Sequence, residues 1–281
     1  MAKINIITDS TSDIPDNIAS ALDIKIAPFY IRFGERVYRD GLDITKEEFF
    51  QKLANSPVHP ATSQPTPEDF AAFYSRFCNE NEGIISIHIS SKISGTYNSA
   101  SLAKRMMKSN CPIELVDSTF NSAGTMLVAM EAARQVKAGT NFKSVVIKTR
   151  QVIDQIHMLG IFSTMKYLAR SGRVSNTVAQ AASILNVMPL LTFHEGEIVR
   201  AGLVRNFNKG MDRLVHFVKQ RGNVKELVIT HSAIPDKAQE LAERLVQFMP
   251  REKIIITHLG AVLGVHGGPG VLLVAIRSDT P

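Results

Sequence analysis

The sequence predicts a two-domain α/β protein, with a Rossmann-like, parallel-sheet α/β domain over residues 1–160 and a mixed, antiparallel α+β domain over 161–281. Three observations carry that reading. The length of 281 residues exceeds the ~150 residues of an ordinary single domain. Short apolar strands alternate with amphipathic helices through the first half, the pattern of a parallel sheet covered by helices. The second half changes texture, with strands paired across a tight turn. No Pro-, Gly- or Ser-rich linker separates the halves, so they are expected to share a large interface.

The elements follow in order. Residues 3–8 form a buried strand that stops at Asp9-Ser10-Thr11-Ser12-Asp13, and Pro15 opens a short helix in the favoured first-turn position. Residues 26–38 read as a hairpin turning at Gly34-Glu35, expected to pack on the other domain. Thr45 and Glu48 form a capping box opening a helix to about Ala54. Residues 55–65, with three prolines, read as a loop. The next helix starts at Thr66-Pro67 and carries Phe70, Phe73, Tyr74, Phe77 and Cys78 on one face. Strand 84–89, a helix from Tyr97 to about Lys108, strand 113–116, helix 122–137 and a helix over about 142–158 complete the first half. In the second half, 187–193 and 197–205 flank His194-Glu195-Gly196 as a hairpin. A helix at 208–220 presents Met211, Leu214, Val215 and Val218, and then come strand 225–230, helix 236–248 and strands 253–257 and 270–277.

A chain with 44% hydrophobic and 21% charged residues is not disordered. Its two cysteines, Cys78 and Cys111, lie far apart, so neither a disulfide nor a cysteine zinc site is expected and a reducing compartment fits. The first residues reach charge before any signal-peptide core, and no apolar run approaches ~18 residues. The expected location is the cytoplasm, with no membrane span and at most transient contact with a membrane surface. Basic residues exceed acidic ones, 32 against 26, for a net charge of +6. This excess could suit nucleic acid, an anionic membrane or an acidic partner, and the basic residues are too scattered to choose among them; no nucleic-acid-binding motif accompanies them, so nucleic acid is not expected.

Asp9-Ser10-Thr11 and Asp117-Ser118-Thr119 each end a short apolar strand, and Ser90-Ser91 ends a third. Hydroxyls thus collect at the carboxyl edge of a parallel sheet, where open α/β folds bind ligands. The same residues equally serve as turn and helix caps. Ser94-Gly95-Thr96 stands before a helix, where hydroxyls and free N–H groups converge on an anion. Thr62-Ser63-Gln64-Pro65 adds two hydroxyls and an amide. Both loops offer neutral donors suited to a carboxylate or phosphate. His266-Gly267-Gly268-Pro269-Gly270 reads as a glycine-rich turn that either aims the imidazole at a ligand or lies on the surface. Arg170-Ser171-Gly172-Arg173 sets two guanidiniums around a turn, for an anion or for solvent. No phosphate-cradling loop, dinucleotide fingerprint, nucleophile elbow or zinc-protease motif is present, and the eight histidines lack metal-ligand spacing. No metal or cofactor is expected. The alternative to a binding protein is a stand-alone hydrolase or phosphotransferase using Asp9, Ser10, Ser94 and His266.

Taken together, Asp9 to Asp13, Thr62 to Pro65, Ser90 to Tyr97, Val116 to Ser118, Arg170 to Arg173 and the His266 turn resemble the DegV family of bacterial fatty-acid-binding proteins, in order and spacing from end to end. The resemblance implies two α/β domains with a lipid tunnel between them. It implies a non-catalytic carrier whose ligand is a long-chain, palmitate-like fatty acid, in lipid transport or fatty-acid metabolism. In that family the carrier is a subunit of fatty acid kinase, and a separate ATP-dependent kinase phosphorylates the bound carboxylate. Carried over residue by residue, the resemblance places the carboxylate on Thr62 and Ser94, with Ser63, Gly95, Thr96, Arg170 and His266 as secondary contacts. Arg173, three residues beyond Arg170, is expected to dock the acidic partner kinase. The chain departs from the family pattern at Ser171, where Gly is common, and at Gly267, where Thr is frequent.

Overall fold

The structure is a computed structural model and describes residues 3–78, 82–108, 110–172 and 187–279. Strands β1 (Lys3–Asp9), β2 (Ile24–Ala27), β6 (Glu82–His88) and β7 (Ile113–Asp117) form a parallel sheet in the order β2-β1-β6-β7. β1 is buried continuously from Asn5 to Asp9, because helices cover both faces of such a sheet. On one face lie α3 (Pro67–Ser75) and α4 (Thr96–Met106), where Phe70, Tyr74, Ala100 and Ala103 pack on Ile7, Ile84 and Leu115. The other face receives α5 (Ser122–Lys137), buried without a break from Ser122 to Ala133, with α1 (Asp16–Leu22) and α6 (Phe142–Ile153) beside it.

The hairpin expected over 26–38 divides. β2 joins the parallel sheet, while β3 (Tyr30–Phe33) and β4 (Arg36–Arg39) turn at Gly34, whose φ of +60° suits glycine. Residues 55–65 are not all loop: β5 (Ala61–Ser63) pairs with β3, setting Thr62 opposite Ile31. A three-residue strand between prolines carries no readable period. α2 (Lys46–Asn55) begins with the expected capping box of Thr45 and Glu48.

A second, mixed sheet runs β10-β9-β8-β13-β11-β12, comprising β8 (Ile156–Phe162), β9 (Met188–His194), β10 (Glu197–Val204), β11 (Val224–His231), β12 (Ile254–His258) and β13 (Val271–Ser278). The helix expected to reach about residue 158 stops at Ile153, and β8 replaces its end. β8 is an inner strand packed on both faces, so its apolar run does not alternate and merges with the helix pattern before it. α8 (Phe207–Gln220) and α9 (Pro235–Leu245) cover the outer face, with Met211, Leu214, Leu241 and Leu245 against Ile161, Leu272 and Val274. The inner face, including Met158, Leu273 and Ala275, shares one continuous core with α5, Ile85 and Ile87. Two short helices finish the architecture, α7 (Lys166–Ser171) and α10 (Ala261–Gly267). Phe49 of α2 packs so closely on α10 that a Cβ at Gly264 would come within 2.6 Å of its ring.

The two cysteines, expected to be free, form a disulfide between Cys78 and Cys111 with Cα atoms 5.6 Å apart. The cysteine argument for a reducing compartment therefore falls. Packing of α3 on α4 brings the segments beyond both helices to one corner, which a sequence separation of 33 conceals. Among the described residues, no helix is long and apolar enough to cross a membrane.

Candidate functional site

The repeated Asp-Ser turns serve the scaffold. Asp9 Oδ1 accepts from Thr11 N (3.1 Å) and Thr11 Oγ1 (2.5 Å), while Oδ2 accepts from Ile89 N (3.1 Å) and lies 3.0 Å from His88 Nδ1. His88 Nε2 is 2.8 Å from Ser86 Oγ, which accepts from Tyr74 Oη, and every member of this chain is buried. Asp117 accepts from Thr119 N and Ser91 N, and Ser118 shares a hydrogen bond with Thr125 Oγ1. These carboxylates hold the carboxyl ends of β1, β6 and β7 in place. Ser90 Oγ donates to Gly196 O (2.7 Å), tying the same edge to the β9–β10 turn.

Between that edge and the inner face of the mixed sheet lies a cavity of about 960 Å³, counted with its solvent-open part. Its walls are mostly apolar, among them Ile89, Met158, Phe162, Leu191, Phe193 and Leu273. Thr62, Gln64, Ser94 and His266 face the same space. Thr62 Oγ1 lies 2.9 Å from His266 Nε2. Ser94 Oγ accepts from Thr96 N (3.3 Å) and lies 2.7 Å from Thr96 Oγ1, while Gly95 caps α4 without a side chain. A Cβ at Gly95 would sit 2.6 Å from Gln64 Nε2, so the two loops touch. The arrangement presents hydroxyls, an amide, an imidazole and a helix N-terminus to one end of an apolar chamber.

Not every expected residue joins them. Thr96 is fully buried behind Ser94. Ser63 is exposed, because alternation along β5 sends it away from Thr62. Arg170 is exposed in the last turn of α7 and does not line the cavity. Its neighbourhood is still legible: burial, then the charges of Arg170 and Lys166, hold the His59 imidazole below its ordinary pKa. Arg173 lies outside the described residues. His266 stands in the final turn of α10 and not in a glycine turn, since a seven-residue helix with two glycines shows no helical period. Gln64, offered by the sequence as one of its loop's neutral donors, lines the cavity. Met158, Gly160 and Phe162 were hidden inside the misread strand.

The opposite end of α10 gathers ionisable groups. Asp13, at φ +55°, accepts from Gly260 N (2.8 Å) and Ser122 Oγ (2.6 Å), and Thr257 Oγ1 donates to its carbonyl. Burial pushes its carboxyl up to about 7, against the opposing pull of Lys46 and these hydrogen bonds. Burial also raises Asp40, which bonds Ser10 and the Ala261 N–H. Lys46 Nζ donates to His258 O, and the rings of His258 and His231 lie 4.9 Å apart. Burial, the neighbouring histidine and Lys46 lower His231 to about 4. Among the described residues no cluster of three or more His, Cys, Asp or Glu is placed to hold a metal ion.

Residues 3–279 match the family described as uncharacterised protein, DegV family. A DegV domain-containing protein of Caldanaerobacter subterraneus is 32% identical over 272 residues, 96% of each chain. The chain superposes with TM-score 0.88 and 30% identity on a structure of a DegV family protein from Thermus thermophilus described for fatty acid binding, covering 98% of this chain and 99% of that one. A stearic acid-binding protein from Eubacterium ventriosum superposes with TM-score 0.89 at 25% identity, covering 98% of both chains. The chain belongs to the DegV family.

Proposed function

We propose that this DegV-family chain binds a long-chain, palmitate-like fatty acid in the cavity between its sheets and holds the carboxylate on Thr62 and Ser94, beside His266. The observation that carries the reading is the grouping of Thr62, Gln64, Ser94 and His266 on one mostly apolar chamber. Each buried methylene contributes about 0.8 kcal/mol, so the tail supplies the attraction, much of it offset by ordering. The carboxylate must then find hydrogen bonds or its desolvation cancels the gain. Hydroxyls and the N-terminus of α4 meet that need without a fixed counter-charge, which leaves the head group available for transfer. Each sheet would then organise one of two domains, divided near residue 160 and joined through the core they share around α5.

The finer reading is that the protein is a non-catalytic carrier in lipid transport or fatty-acid metabolism, and that a separate ATP-dependent kinase phosphorylates the held carboxylate. Ser94 bonds Thr96, His266 Nε2 faces Thr62, and Asp9 faces His88, so the residues of the hydrolase alternative do not form a relay. Arg173 is the proposed docking residue for the kinase. Native mass spectrometry of protein purified from cells tests the carrier reading: a retained long-chain acid supports it, and an empty chain with esterase turnover overturns it. For the docking reading, Arg173→Glu should impair phosphorylation of bound acid and leave binding intact.

A further inference from the structure

The inner face of β8 reads Met158, Gly160, Phe162, the alternate positions that turn toward the cavity. Phe162 marks the head-group end: a Cβ at Gly267, the neighbour of His266, would lie 3.6 Å from its ring. Gly160 has little room for a side chain, since a Cβ there would meet Leu273 at 3.0 Å and the Phe162 ring at 3.3 Å, so β8 offers bare backbone between Phe162 and Met158. Met158 lies four residues from Phe162, roughly 13 Å along the strand. Its backbone is pinned by Thr192 Oγ1, which donates to its carbonyl at 2.6 Å. Its thioether rests in a notch on α5, where a Cβ at Gly124 would stand 2.5 Å from Sδ and 2.6 Å from Phe120 Cβ. Phe120 in turn meets Phe193, another wall of the cavity, with ring centroids 5.5 Å apart.

We propose that Met158 is the end stop that sets the length of acyl chain accepted, and that Gly124, outside the cavity, sets the position of that stop by leaving the sulfur room to withdraw. The proposal rests on the fatty-acid reading of the cavity. An unbranched thioether with three soft torsions fills space without forming a rigid wall, so the notch behind it decides how far the tail advances. Substitutions in front of the stop and behind it therefore act in opposite directions.

The test is displacement of a fluorescent fatty acid by saturated straight-chain acids of increasing even length. Met158→Ala should move the optimum to longer acids, with the acid two carbons longer gaining on the order of tenfold, the value of two further buried methylenes. Met158→Phe and Gly124→Ala should each move it to shorter acids. The double variant Gly124→Ala/Met158→Ala should show the Met158→Ala profile, because no sulfur remains to be displaced. The Gly124 Cβ also meets Phe120, so the two Met158 variants decide the matter alone if Gly124→Ala does not fold. An unchanged length profile in both Met158 variants overturns the proposal, as does an equal loss at every length. Failure of the wild-type chain to bind any acid in the series strikes the reading of the cavity itself, a separate result.

Discussion

The two ends of α10 handle polar groups in opposite ways. At its N-terminus, Asp13 and Asp40 are buried carboxyls whose partners all come from the protein: Gly260 N, Ser122, Ala261 N and Ser10. At its C-terminus, His266 and Thr62 are half-buried and turned toward a cavity. The first end holds the halves of the chain together; the second leaves hydrogen-bonding capacity for a ligand. The contrast shows what burial does to a carboxyl on this helix. Asp13 is driven toward neutrality even with two good donors. A ligand carboxylate at the other end stays ionised only if the Thr62 and Ser94 loops solvate it better.

Removing the closed end is the largest perturbation. Asp13→Ala strips the acceptor from Gly260 N and Ser122 Oγ and puts a Cβ residue without a side-chain hydrogen bond at φ +55°. At about 1–3 kcal/mol per buried unsatisfied group, the loss should reach about 3 kcal/mol or more in denaturant unfolding. A loss below about 1 kcal/mol would show that this end is no anchor.

The pH response comes next, and its sign follows from the two shifts. Asp13 titrates near 7 in the folded protein against 3.8 ordinarily, so between those values the folded state holds the extra proton and stability falls as pH rises. His231 titrates near 4 against 6.5, so between those values the unfolded state holds the extra proton and stability rises with pH. The two oppose each other from about pH 4 to 6.5 in wild type. Asp13→Asn, which tolerates the left-handed backbone and keeps an acceptor for Gly260 N, removes the falling contribution of Asp13 and leaves the rising one of His231. Its stability should climb with pH across that window, by at most about 1.4 kcal/mol per unit, relative to a flatter wild type. Parallel curves for both proteins would sink the assignment.

What the sequence disclosed follows the same division between open and closed. The hydroxyl loops at Thr62 and Ser94 were legible because each gathers hydroxyls, with an amide beside Thr62, shortly before a helix start. The range of α5 and the β9–β10 hairpin about His194-Glu195-Gly196 were legible, the hairpin because a glycine turn separates two apolar runs. Asp13 gave no sign of its role, since its partners Ser122 and Gly260 are more than a hundred residues away. β8 was unreadable because an inner strand packed on both faces has no period of two, and the site residues it carries were lost with it. The disulfide failed for the reason Asp13 did: only packing brings Cys78 to Cys111.

At the open end the effects should be smaller and confined to binding. Thr62→Ala or Ser94→Ala should weaken fatty-acid affinity by about 1–3 kcal/mol, the range for leaving a charged acceptor short of a bond. Unfolding stability should change by less than about 1 kcal/mol, because neither hydroxyl is fully buried. Isothermal titration beside thermal melts separates the two readouts, and unchanged affinity in both variants would remove these residues from the head-group site.

The smallest expected effect is also the one that resolves the site most finely. Ser63 faces solvent beside Thr62, so Ser63→Ala should leave affinity within about 0.5 kcal/mol of wild type, as an exposed substitution does. Gly95→Ala is subtler. Its Cβ meets Gln64 Nε2 at 2.6 Å, and Gln64 is an exposed, flexible side chain that swings aside at little cost to the fold. Thr62 and Ser94 keep their hydroxyls in that variant, so any loss of affinity measures the displaced amide alone. A loss within about 0.5 kcal/mol makes Gln64 a lining residue without a bond to the head group. A loss equal to that of Thr62→Ala makes it a third donor, and the open end of α10 then offers the carboxylate a full set of neutral partners, the mirror of the closed set that Asp13 has at the other.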